Sequence, residues 1–251
     1  MAGAEQFIPQ RVRNQLLALG IPAAKHKRDA LATLFPPELN IGATGLSAAD
    51  MARVLIYMVE KKTICVPGEA TSTSVQEVRP GWHFCQFYRD FNELLDLVAP
   101  YVAEGLKNGE GCLWVMPEVV TSKAAAAVAQ HTENVDAYIS SGQLEILPHP
   151  QWYLDPSGQL KTFEQIAEAL IAKQNAALAK GFKFLRAAGD AGWVSGTEQS
   201  KSFIDYEMKV NAALGATQVA AICTYRAAVT AREFLAIMNA HQDALYQAKS
   251  S

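Results

Sequence analysis

The chain lacks a phosphate-binding loop. No G-x-x-x-x-G-K-[ST] run occurs in its 251 residues, so it has neither the glycines for close backbone approach to phosphate nor the Lys-Ser/Thr pair that supplies charge and holds magnesium. It also lacks a hydrophobic stretch of membrane length. Its longest apolar runs, such as Val54 to Val59 and Val219 to Cys223, fall far short of the roughly 18 residues that a span needs. Met1 to Gln10 has no basic flank followed by an apolar core, so no export signal is read and a cytoplasmic protein is expected. Cysteine is scarce: Cys65, Cys85, Cys112 and Cys223 lie far apart, three of them inside apolar strand-like runs. That pattern fits reduced core thiols and not a disulfide frame. A nucleophile elbow is missing too, because Val194-Ser195-Gly196 has no glycine two positions before its serine. These absences point toward sensing and away from turnover, and no enzyme is expected.

Half of the residues are hydrophobic, enough for a full core in one large domain with an appendage. The net charge of −3 is unevenly spread. Residues 1–62 hold eight Lys/Arg and five Asp/Glu, a balance of +3, which leaves −6 for the remainder. Three helical patterns lie in this basic part: Pro9 to Leu19, His26 to Phe35, and a third opening at the capping-box-like Ser47-Ala48-Ala49-Asp50. They define a helical amino-terminal module over 1–65. The gap from Pro36 to Ser47 is far longer than the 3–4-residue turn of a helix-turn-helix reader. DNA contact is therefore permitted and not signalled. Residues 66–79, rich in turn and small polar residues, read as a linker.

From 80 to 247 short apolar strands alternate with long helices. Strands are expected at Trp82–Tyr88, Gly111–Met116, Leu144–Leu147, Phe182–Ala187 and Gln218–Tyr225. Helices are expected at Asn92–Lys107, Thr121–Gln130, Thr162–Lys180, Ser200–Leu214 and Thr230–Tyr246. Such alternation implies an α/β fold, a mostly parallel sheet with helices on both faces.

In such a sheet ligands bind outside the carboxyl ends of the strands. Those ends hold Tyr88 with Arg89 and Asp90, Pro117 with Glu118, Gly189 with Asp190 and Trp193, and Tyr225 with Arg226. Aromatics with a few charges suit a small, partly apolar ligand. The competing reading makes Tyr88 and Tyr225 edge-of-core residues and the charges solvated loop groups. His83-x-Cys85 sets two ligand types on one strand face, with Cys112 and Cys223 on neighbouring strands, so a Cys₃His site can be drawn. Mid-strand positions and the absence of C-x₂₋₄-C spacing favour core cysteines and a hydrogen-bonded core histidine instead, and no metal is assigned. A redox-sensing thiol at Cys85 or Cys223 would need a lowered pKa. Glu118, Asp190 and Glu207 have no phosphate-binding lysine to work with and read as helix caps or partners of Arg186 and Arg226. His131, His149 and His241 show no partner in the sequence. No catalytic residue and no cofactor is assigned.

Several short runs carry a resemblance. His83-Phe84-Cys85-Gln86-Phe87-Tyr88, the Gly105 to Val115 junction with Trp114, Gly142-Gln143-Leu144-Glu145-Ile146, Gly189-Asp190-Ala191-Gly192-Trp193, Tyr206-Glu207 and Cys223-Thr224-Tyr225 resemble the MEDS domain, the methanogen/methylotroph DcmR-type sensory domain. The likeness runs through nearly all of 80–246. It implies a degenerate RecA/KaiC-like fold and a regulatory sensor for small hydrocarbon derivatives, often joined to DNA-binding or signalling modules. The amino-terminal module, with its long second turn, departs from that pattern. The main expectation is a sensor that binds a small organic ligand and relays its state to DNA or a signalling partner, with a homodimer as one open arrangement. The alternatives are a degenerate nucleotide-binding protein and a thiol- or metal-based sensor.

Overall fold

The computed structural model describes residues 78–194, 200–226, 233, 236–237, 240–241 and 243–245. The helical module expected over 1–65 and nearly all of the linker lie outside the described residues. The elements run β1 (His83–Tyr88), α1 (Phe91–Lys107), β2 (Gly111–Met116), a 3₁₀ turn (Glu118–Val120), α2 (Thr121–Ala129), α3 (Val135–Ser141), β3 (Leu144–Pro148), α4 (His149–Tyr153), α5 (Phe163–Ala179), β4 (Leu185–Asp190), α6 (Ser200–Leu214), β5 (Val219–Arg226) and β6 (Asp243–Leu245).

All six strands are parallel, in the order β3-β2-β4-β5-β1-β6. Alternation along each strand then sorts its side chains between two faces. Phe84, Tyr88, Trp114, Met116 and Ile222 pack with α1, α2 and α3 in one core. Cys85, Leu113, Val115, Ala187, Ala221, Cys223 and Tyr225 pack with α4, α5 and α6 in the other. Both faces are covered, which is why the strands read as continuous apolar runs instead of alternating ones.

Local chemistry sets the helix starts. Asp90 caps α1 by accepting from the backbone N–H groups of Asn92 and Glu93, and Thr162 with Gln165 closes a capping box on α5. At the other end of α3, Gly142 takes φ +69° as the left-handed cap.

Two expected elements are corrected. The helix expected over Thr230–Tyr246 does not reach its expected end: Asp243–Leu245 is a strand on β1, with Phe84 opposite Asp243 and Gln86 opposite Leu245. Without it β1 would leave a row of backbone groups unpaired. Three residues are too few for strand periodicity to show. The fourth strand starts at Leu185 instead of Phe182, because Gly181 at φ +85° and the bond from Lys183 N to Gly109 O spend the intervening residues on a turn. Gly189 and Asp190 are consequently strand residues and not loop.

Candidate functional site

The strand-end residues separate into distinct groups. Tyr88 is buried and donates to Asp190 Oδ1 at 2.7 Å, which also accepts from Thr224 at 3.3 Å. Burial pushes the Asp190 carboxyl up to about 6 against the bonds from Tyr88 and Thr224. Tyr225 is equally buried but lies in the opposite core, where its hydroxyl donates to Glu207 Oε1 at 2.8 Å. The sheet thus separates Tyr88 from Tyr225. Arg89 pairs with Glu93 at 2.9 Å and Asp90 is spent on the α1 cap, whereas Arg226, over the Phe91 ring at 4.8 Å, also reaches Tyr88 and Asp190, as the sequence reading expected of Asp190. Glu118 is exposed on the 3₁₀ turn. Trp193 stacks on His149 with centroids 5.5 Å apart and touches Tyr153. Burial lowers the His149 pKa and Glu118 opposes that shift, which ties Glu118 to the same corner.

A second group gathers under the sheet. His83 on β1, Glu207 on α6, Cys223 on β5 and His241 before β6 are all buried and offer ligand-type atoms within 4.8 Å of one another. The two imidazole rings lie 4.1 Å apart. Outside the cluster, Asn211 Oδ1 sits 3.3 Å from His83 Nδ1 and Ile237 O sits 2.7 Å from His241 Nδ1. Burial raises the Glu207 carboxyl, but the bond from His83 and the fields of both histidines outweigh it and hold its pKa below the usual range. Burial pushes the Cys223 thiol well up, with Glu207 adding to the rise. That is the opposite of what a reactive redox thiol requires.

The Cys₃His set drawn from the sequence does not form. Cys112 faces the other core, against Gly105 and Arg186, since it is one strand position out of phase with Leu113. Cys85 does share the face of Cys223 and stands opposite it in register. Trp114 is wholly buried in the α1 core. Arg186 is not a partner of Asp190 or Glu207; it forms a buried pair with Glu110 and donates to Tyr101 O.

Beside the four-residue cluster is a cavity of about 40 Å³ lined by Glu207 and Cys223 on one side and by Leu113, Ile166, Ala187 and Val210 on others. Trp152, Tyr153 and Tyr206 complete its aromatic wall. Glu207 is the only acidic or basic residue among the described residues lining it. Gly189 is what lets the wall close, because a Cβ there would meet the Tyr153 hydroxyl at 2.6 Å. A larger cavity of about 180 Å³ opens at the amino ends of β2 and β4. Its polar groups are already committed, Lys173 to Glu145 and Lys180 to Ser141 O.

Glu207 and His241 are the functional candidates that the sequence reading undervalued. A signal existed for Glu207: it falls on the buried face of α6 between Phe203, Val210 and Leu214, where a helical stripe should be apolar. His241 offered none, since its neighbours in space come from distant parts of the chain.

Among proteins of known family, the model for the methanogen/methylotroph, DcmR sensory domain, MEDS, matches residues 82–242. No curated protein matches the chain.

Proposed function

The chain belongs to the MEDS family of sensory domains, and from that premise we propose that it binds a small, mainly apolar organic molecule in the cavity between the sheet and α5 and α6. The observation carrying this reading is the cavity itself, apolar and aromatic apart from Glu207 and Cys223. Few polar groups in an apolar wall are the usual way to orient a small ligand. About 40 Å³ holds roughly three water-sized atoms, a size suited to one-carbon compounds and short hydrocarbon derivatives. Nothing in this reading asks for turnover, and the protein acts as a regulator without catalysis. The ligand state passes through the basic amino-terminal region to DNA or a signalling partner.

Nucleotide binding is the weaker alternative. The amide groups at the start of α1, which a phosphate would use, are taken by the Asp90 carboxylate. An anion there would meet that carboxylate at close range.

A thermal-shift panel separates the two. A ligand that prefers the folded form raises stability by RT ln(1 + [L]/Kd), about 2.7 kcal/mol at a hundredfold excess over Kd. Short alcohols, halomethanes and small organic acids are expected to include a stabilising compound, whereas ATP and GTP leave the melt unchanged. Stabilisation by a nucleotide alone would overturn the proposal.

A further inference from the structure

The cluster behind the cavity has the dimensions of a metal centre. A tetrahedral zinc ion with nitrogen, oxygen and sulfur bonds of roughly 2.0–2.3 Å holds its ligand atoms about 3.3–3.8 Å apart. Here His83 Nε2 lies 3.4 Å from Glu207 Oε2 and 3.4 Å from Cys223 Sγ. Glu207 Oε2 lies 3.7 Å from Cys223 Sγ and 3.8 Å from His241 Nε2, while the four atoms together span up to 4.8 Å, so His241 would draw in on an ion.

The surrounding bonds aim those atoms inward. Asn211 Oδ1 and Ile237 O can only accept hydrogen bonds, so each imidazole facing them can keep a proton on Nδ1; with an ion bound, the proton that His83 Nε2 shares with Glu207 would leave and both Nε2 lone pairs would turn to the centre. Tyr225 fixes Glu207 through the other carboxylate oxygen. Such outer partners are what orient histidine and carboxylate ligands at metal sites. A separate sign is that His241 Nε2 is buried with no hydrogen-bond partner among the described residues. Burying an unpaired polar atom is costly unless something fills its demand.

We propose that His83, Glu207, Cys223 and His241 bind one divalent zinc-class cation. The donor set of two nitrogens, one oxygen and one sulfur suits zinc and disfavours magnesium or calcium, which take oxygen ligands. On binding, the Cys223 S–H proton leaves to water and the thiolate sulfur donates an electron pair to the ion; nothing is oxidised or reduced. With all four positions supplied by the protein the centre is a closed, structural one. It ties β1, β5, α6 and the segment leading to β6 together. The inference does not rest on the ligand reading but shares Glu207 and Cys223 with it, so an ion bound there would itself form the polar wall of the cavity.

The test uses the full chain, stripped with a chelator and titrated with Zn²⁺ and, as a spectroscopic probe, Co²⁺. The expected result is one ion per chain, with the visible bands of tetrahedral Co²⁺ and a near-ultraviolet thiolate charge-transfer band. Cys223→Ser should abolish the charge-transfer band, and His241→Gln, which keeps every cysteine, should weaken binding by more than about 100-fold. Asn211→Ala, which removes only a positioning residue, should cost about 10- to 100-fold, while Cys85→Ser should leave stoichiometry and spectrum unchanged. Absence of stoichiometric binding to the wild-type chain overturns the proposal, as does a charge-transfer band that survives Cys223→Ser. Should a variant fail to fold, the wild-type spectrum still decides, since one Co²⁺ per chain without a thiolate band also overturns it.

Discussion

Asp190 shows how a single buried carboxyl links the carboxyl end of the sheet to pH. Burial raises its folded pKa to about 6, above the 3.8 of a free aspartate, so between those values the native state holds a proton that the unfolded chain has released. Stability therefore falls as pH rises from about 4 to about 6 and stays lower above, by up to about 3 kcal/mol from this one group. Asp190→Asn keeps an acceptor for Tyr88 and Thr224 and removes the titration. The variant should match the wild type near pH 4 and exceed it in urea midpoint above pH 6. A stability difference that does not change with pH would show that Asp190 titrates as it does in water.

At the scale of elements, the buried pair of Arg186 and Glu110 joins β4 to the start of β2, with Arg186 also bonded to the α1 carbonyl of Tyr101. Glu110→Ala leaves a buried guanidinium without its carboxylate, a change that costs about 3–5 kcal/mol. Equilibrium unfolding should register that loss, and a cost below about 1 kcal/mol would mean that water reaches Arg186. Most of the elements on this scaffold were legible in the sequence. The boundaries of β2 and α6 coincide with those expected, because long apolar runs and helical stripes carry strong periodicity. The short α3, α4 and β6 were not, since five to seven helical residues or three strand residues give too few repeats. The site was legible only in pieces. His83 and Cys85 could be placed on one face by strand alternation, but Cys223 lies 140 residues from His83, and only the register of β1 against β5 brings it to that face. The strand-end crevice drawn around Tyr88 and Tyr225 assumed that both point the same way. They belong to opposite cores because Tyr88 faces with Phe84 and Tyr225 with Cys223.

At the scale of the whole molecule, the described residues form a doubly covered parallel sheet whose α5 and α6 side holds a small, mainly apolar cavity next to a polar cluster. One consequence is that purified protein should show no ATP turnover of its own; steady hydrolysis abolished by Asp190→Asn or Glu118→Gln would contradict it. In the proposed function the signal enters at the cavity. Ala187 lines it from β4, and Ala187→Val puts two further carbons into that space. Calorimetric titration of wild type and Ala187→Val with the small organic compound giving the largest thermal shift tests the claim most directly. The expected result is one saturable site in the wild type and no binding heat in a variant that still melts cooperatively, whereas equal affinity in both proteins would place the ligand elsewhere.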